Sequence, residues 1–137
     1  MVADAATIES AVKKIAEAMG LSLVLLFGSQ ATGKTHRESD VDIAYLSDKS
    51  LDLMTEARLM VDLMPIFESS AVDVVDLKKA PPLLMKLIFD HHKVLFCRDY
   101  GKYFAYLMYA KRRYREAASL FAMRDKALSR FLKTHAR

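Results

Sequence analysis

This chain is short of the residues that cross-link, break or anchor a polypeptide. Its single cysteine, Cys97, excludes an internal disulfide framework and points to a reducing compartment. No apolar run approaches the roughly 20 residues needed to cross a bilayer, so no membrane partner is expected. The N-terminus, MVADAATIES, lacks the basic-then-apolar layout of a signal peptide, and a cytoplasmic protein is expected. Proline is missing from 99–132 and the last glycine is Gly101, so this stretch predicts one long helix. Low-complexity segments are missing too. What remains is 137 residues, 53% of them hydrophobic, which suits one domain with a real core and no second one.

Charge is unevenly distributed. Residues 1–97 carry 10 Lys and Arg against 14 Asp and Glu, whereas residues 98–137 carry 11 against 3. An acidic body with a basic tail implies an anionic partner for the tail, either an acidic protein surface or nucleic acid. Lys111, Arg112, Arg113 and Arg115 wind around the predicted helix instead of forming a stripe, and no nucleic-acid-binding motif accompanies them. Direct nucleic-acid binding is therefore not expected.

Along the chain, Ile8, Val12, Ile15 and Met19 recur at helical spacing before Gly20, predicting a first helix over 4–19. An apolar strand over 22–27, buried on both faces, follows it. A second apolar run, 43–46, is also of strand length. Leu51, Met54, Leu59, Val61 and Leu63 predict a helix over 51–64 closed by Pro65, its methionines filling core. The valine-rich stretch 71–77 predicts a strand, 83–90 a helix with Pro82 in its first turn, and 93–97 a last short strand. His91 and His92 read as a polar helix end, not as zinc ligands, because adjacent helical residues do not share a face. Cys97 reads as a small buried hydrophobe. On the long C-terminal helix, Tyr100, Leu107, Tyr114, Phe121 and Leu128 recur every seventh residue, beside Phe104, Ala118 and Leu132. That seam is long for a body this small, and its second half is expected to meet another chain.

The chemistry gathers between the first two strands. The first ends at Gly28 and Ser29, and Asp40 and Asp42 stand at the mouth of the second. Side chains alternate along a strand, so the two aspartates point the same way, about 7 Å apart. Two such carboxylates repel unless a cation lies between them, and Mg²⁺ commonly takes one or two carboxylates plus substrate phosphate oxygens. Gly28 and Ser29 offer a phosphate close backbone approach, free N–H groups and a hydroxyl. A plain glycine turn before an exposed acidic strand start is the structural alternative. An aspartate inside the valine stretch also needs a partner or a task. Asp73 and Asp76 fall on opposite faces, and Asp76, near the strand end, is expected to be the more easily solvated.

Strand, Gly28–Ser29, ten intervening residues, Asp40-Val41-Asp42 and strand resemble the signature of the DNA polymerase β-like nucleotidyltransferases, in particular their minimal (MNT) branch. The resemblance covers about 20–97 and is strongest over 28–42. It implies an α/β (α+β) fold: a nucleotidyltransferase-type mixed β-sheet with flanking helices and a long C-terminal helix. Residues 1–98 would form the nucleotidyltransferase core and 99–137 a helical extension of the same domain. It further implies that Asp40 and Asp42 hold two Mg²⁺ ions with Asp73 as third carboxylate (Asp76 being the alternative), and that Gly28 and Ser29 hold the phosphates of ATP. Relatives commonly carry arginines soon after the glycine-serine pair, where Gln30 and Thr32 stand here; Lys34, His36 and Arg37 remain near enough to reach phosphates. Stand-alone MNT proteins pair with HEPN-domain RNase toxins and neutralise them by moving AMP from ATP to a toxin tyrosine, and the same is expected of this chain. The alternatives are an antitoxin acting by binding alone, a small-molecule nucleotidyltransferase, and a nucleic-acid-binding module.

Overall fold

A computed structural model describes residues 4–28 and 40–135. Helix α1 (Ala5–Met19) opens on Asp4, whose side chain accepts a hydrogen bond from the Thr7 N–H. It closes on Gly20, whose left-handed conformation (φ 71°) returns an N–H to the Ala16 carbonyl. The strands are β1 (Leu21–Phe27), β2 (Val41–Ser47), β3 (Val72–Asp76) and β4 (His92–Cys97). They form one sheet in the order β3-β2-β1-β4, with β1 antiparallel to both neighbours and β2 parallel to β3. The parallel pair needs a crossover, which α2 (Leu53–Phe67) supplies between β2 and β3.

Strand β1 is central, and this explains its apolar run from Leu23 to Phe27. Val24 and Leu26 face one core with Val12, Ala16, Ile43, Tyr45, Leu59 and Leu63, beneath α1 and α2. Leu23, Leu25 and Phe27 face the other, with Ala44, Leu46, Leu77, Met85 and Ile88. That second core lies beneath α3 (Pro82–Asp90) and the early turns of α4 (Tyr100–His135), from which Ala110 is buried. Truncating one of these side chains to alanine costs about 2–5 kcal/mol, so both layers are needed.

Helix α2 departs from its sequence expectation in two respects. Pro65 does not close it. The helix runs on to Phe67 and ends at Glu68, which takes a left-handed conformation (φ 52°) and donates its N–H to the carbonyls of Met64 and Pro65. A proline in the last turn forfeits only one intrahelical bond, the one its N–H would have made to Val61. Nor do Met54 and Val61 fill core: they are 79% and 60% exposed. Leu59 and Leu63 set the buried face, and at 100° per residue Met54 and Val61 lie on the far side of the helix.

Helix α4 divides in two. Tyr103, Tyr106 and Leu107 pack on the body around Ala110, whereas every residue from 119 to 135 is exposed. Among the described residues no helix is long and apolar enough to cross a membrane.

Candidate active site

The strand registers align four side chains across the sheet. Asp73 pairs with Asp42, Asp42 with Phe27, and Phe27 with His92. Directly paired residues in a ladder share a face, so this rung runs β3 to β4 along one side of the sheet. Its position is fixed at the β2–β3 end by the Val41 N–H, which donates to the Ala71 carbonyl at 2.8 Å. Asp40, exposed, stands two residues before Asp42.

Asp42 is half-buried between like charges. Its carboxyl is raised above its ordinary value first by burial, then by the charges of Asp73 and Asp40. Gly28 presses on the same side chain. It adopts φ 78°, and a Cβ added there would lie 2.5 Å from Asp42 Oδ2. Only glycine combines that backbone conformation with so close an approach to a carboxylate. The spacing seen in the sequence therefore corresponds to a physical contact between the end of β1 and the second aspartate.

The two aspartates of β3 exchange the environments expected for them. Asp73 is exposed beside Asp42. Asp76, expected to be the better solvated, is only 6% exposed. Its Oδ1 accepts the Lys78 N–H at 2.9 Å and caps the 3₁₀ turn Leu77–Lys79 that follows the strand. Asp76 thus has a structural task on the other face.

His92 also differs from expectation. It is the first residue of β4 rather than part of a helix end. Its Nδ1 lies 3.0 Å from the Phe89 carbonyl and its Nε2 2.6 Å from the Tyr103 hydroxyl. Nothing in the local sequence indicates these contacts, which join three separate elements. Cys97 is partly buried and free, with its thiol raised chiefly by burial. Ser29, Lys34, His36 and Arg37 lie outside the described residues.

The chemistry of the donors suits a hard divalent ion. Asp40, Asp42 and Asp73 offer carboxylate oxygens alone, and the repulsion felt by Asp42 is what a cation would relieve. Among the described residues no three acidic, histidine or cysteine side chains enclose an ion by themselves. Further oxygens would come from substrate phosphate and water, which is usual for Mg²⁺.

A mixed sheet of this order, with paired carboxylates against a glycine turn, defines a nucleotidyltransferase domain. Residues 9–101 match the family described as polymerase beta, nucleotidyltransferase, and the chain belongs to that family. It is 38% identical over 76 residues to the protein adenylyltransferase MntA of Shewanella oneidensis (strain MR-1), a match spanning 56% of this chain and 54% of that protein. The chain thus matches about half the length of that relative. The fold is similar to a crystal structure of a toxin-antitoxin with AMP-PNP, at TM-score 0.74 and 28% identity, over 88% of this chain and 98% of the other. It is similar as well to a structure of a tri-AMPylated Shewanella oneidensis HEPN toxin in complex with MNT antitoxin. That match has TM-score 0.71 over 91% and 99% of the two chains, and at 24% identity it is a likeness of fold.

Proposed function

We propose that this chain is a nucleotidyltransferase antitoxin, moving AMP from ATP to a tyrosine hydroxyl of a cognate HEPN RNase toxin and so neutralising it. One observation carries the reading: Asp42 and Asp73 are paired across the β2–β3 register, and Gly28 abuts Asp42. The family membership, the adenylyltransferase relative and the AMP-PNP-bound neighbour support it.

Asp40, Asp42 and Asp73 would hold Mg²⁺. When bound, the ion neutralises charge on the triphosphate and lowers the pKa of the acceptor hydroxyl. The chain's own contribution is position and electrostatics. Gly28, without a side chain, lets the Asp42 carboxylate sit against its backbone, and Gly28 with Ser29, which follows it in sequence, would hold the phosphates of ATP. The tyrosine oxygen attacks the α-phosphorus in line, the bond to the bridging β-phosphate oxygen breaks, and pyrophosphate leaves. The phenol proton passes to an aspartate or to water. The rigid sheet keeps both carboxylates aligned through the transfer, and a cytoplasmic location accords with the free cysteine.

The test is intact-mass analysis of toxin co-expressed with this chain. Toxin bearing one or more AMP masses, and unmodified toxin when Asp42 and Asp73 are both changed to Asn, is the expected result. An inhibited yet unmodified toxin with the wild-type chain would overturn transfer in favour of neutralisation by binding.

A further inference from the structure

Helix α4 carries one stripe, of which, among the described residues, only the first half packs against the body. Tyr103, Tyr106, Leu107, Ala110 and Tyr114 lie on one face and are buried or half-buried on the body. Continued at steps of three and four residues, the same face presents Phe121, Leu128, Phe131 and Leu132, all 53–55% exposed. The 17 residues from 119 to 135 are exposed throughout, a rod of about 25 Å. Where the rod leaves the body, Tyr114 lines a cavity of about 560 Å³ between α3 and α4, with Lys86 set 5.1 Å over its ring. Ala110 and Tyr114 belong both to the stripe and to the wall of this cavity.

Charge selects the occupant. The rod bears Arg124, Lys126, Arg130 and Lys133 against Asp125 alone, and Arg124 and Asp125 both lie within the stripe. Pairing with the same helix of a second copy would bring together two rods that each carry four Lys and Arg against one carboxylate. Nucleic acid is poorly matched, because the continuous feature is apolar and the cations are scattered around it. An amphipathic protein element, apolar at its centre and rimmed by Asp and Glu, satisfies both halves of the surface.

We propose that the bare half of α4, with the cavity at its root, is the docking surface for the toxin, which meets it with an acid-rimmed helix. The inference rests on the toxin-neutralising reading and adds to it the place of attachment. Holding the substrate by a helix remote from the aspartates separates affinity from chemistry.

Full-length chains carrying F121D with L128D, and separately R124E with R130E, test it against the co-expressed HEPN toxin. Both pairs lie on the exposed rod outside the two cores, the Arg124 guanidinium 5.3 Å over the Phe121 ring of the same helix, so melting curves and Mg-ATP calorimetry should match wild type. The apolar pair should weaken toxin binding by at least about 30-fold, the size of a lost interface centre. The charge pair should chiefly slow association and flatten its salt dependence. Toxin held at wild-type strength by both variants would overturn the proposal. So would wild-type chain that dimerises through the stripe, or that binds RNA in its place. Loss of binding by the variants, with wild type binding toxin but leaving it unmodified, would uphold the docking surface and refute AMP transfer.

Discussion

Strand β3 carries two aspartates three residues apart, and they do opposite things. Asp76 is buried, accepts a backbone N–H and finishes a turn. Asp73 is exposed and stands against another carboxylate, Asp42. A buried charge kept for stability is hydrogen-bonded, as Asp76 is. Charges that crowd together, as Asp73 and Asp40 crowd Asp42 and hold its carboxyl above the ordinary value, weaken the empty fold and make sense only with a ligand to relieve them. The difference between these two environments, more than the residue type, is what marks the end of the sheet we propose as active.

The largest effect should come from Asp42→Asn. Transfer of AMP to toxin should fall by about 10²–10³-fold or more, as when a preorganised charge-stabilising group is removed. Stability of the ion-free protein should move the other way. The Asp42 carboxyl is raised in the fold, so the proton is bound more tightly folded than unfolded, and ionisation costs stability as pH rises through the folded value. At neutral pH the neutral asparagine should therefore melt no lower than wild type, and the two curves should converge as acid protonates Asp42. A variant that loses both activity and stability would place Asp42 with Asp76 and erase the distinction.

Gly28→Ala follows. A left-handed alanine costs about 1–2 kcal/mol. Its Cβ would also displace an Asp42 oxygen that lies 2.5 Å from that position. Misplacing a reacting geometry by about 1 Å can cost about 10²-fold in rate, so transfer assays should show a loss out of proportion to the change in melting temperature. Asp76→Ala should show the reverse pattern. Loss of the cap should lower stability by about 0.5–2 kcal/mol by denaturant titration, while the folded fraction transfers AMP at the wild-type rate.

Much of this was legible beforehand, for physical reasons that can be named. A strand buried on both faces must be apolar nearly throughout, and 22–27 showed it, Ser22 alone being polar. The glycine, the gap and Asp40-Val41-Asp42 carry local information that survives in sequence, and alternation separated the faces of Asp73 and Asp76 correctly. Alternation does not report depth. Asp76 is buried and accepts the Lys78 N–H of a 3₁₀ turn, and the local pattern does not contain that turn. Exposed Met54 and Val61 were misread because apolar character was counted without fixing which face Leu59 and Leu63 had claimed. The contacts of His92 were out of reach for the same reason, since they arrive from α3 and from a tyrosine eleven residues on.

His92 supplies the smallest and most discriminating test. By position it belongs with Asp42 and Asp73, on the same rung; by its contacts it resembles Asp76, since both ring nitrogens have partners. The Phe89 carbonyl only accepts, so Nδ1 carries the proton and Nε2 of the neutral ring accepts from the Tyr103 hydroxyl. Tyr103→Phe removes that donor and little else, and should cost about 0.5–1.5 kcal/mol, seen as a small drop in melting temperature. If saturated hydrogen bonding is what separates structural from functional polar groups here, the AMP-transfer rate of the variant should stay at the wild-type value. A slower rate at unchanged ATP affinity would mean that position on the rung outweighs satisfaction. It would make the His92–Tyr103 pair a positioning element, linking the root of α4 to the sheet end that carries the aspartates.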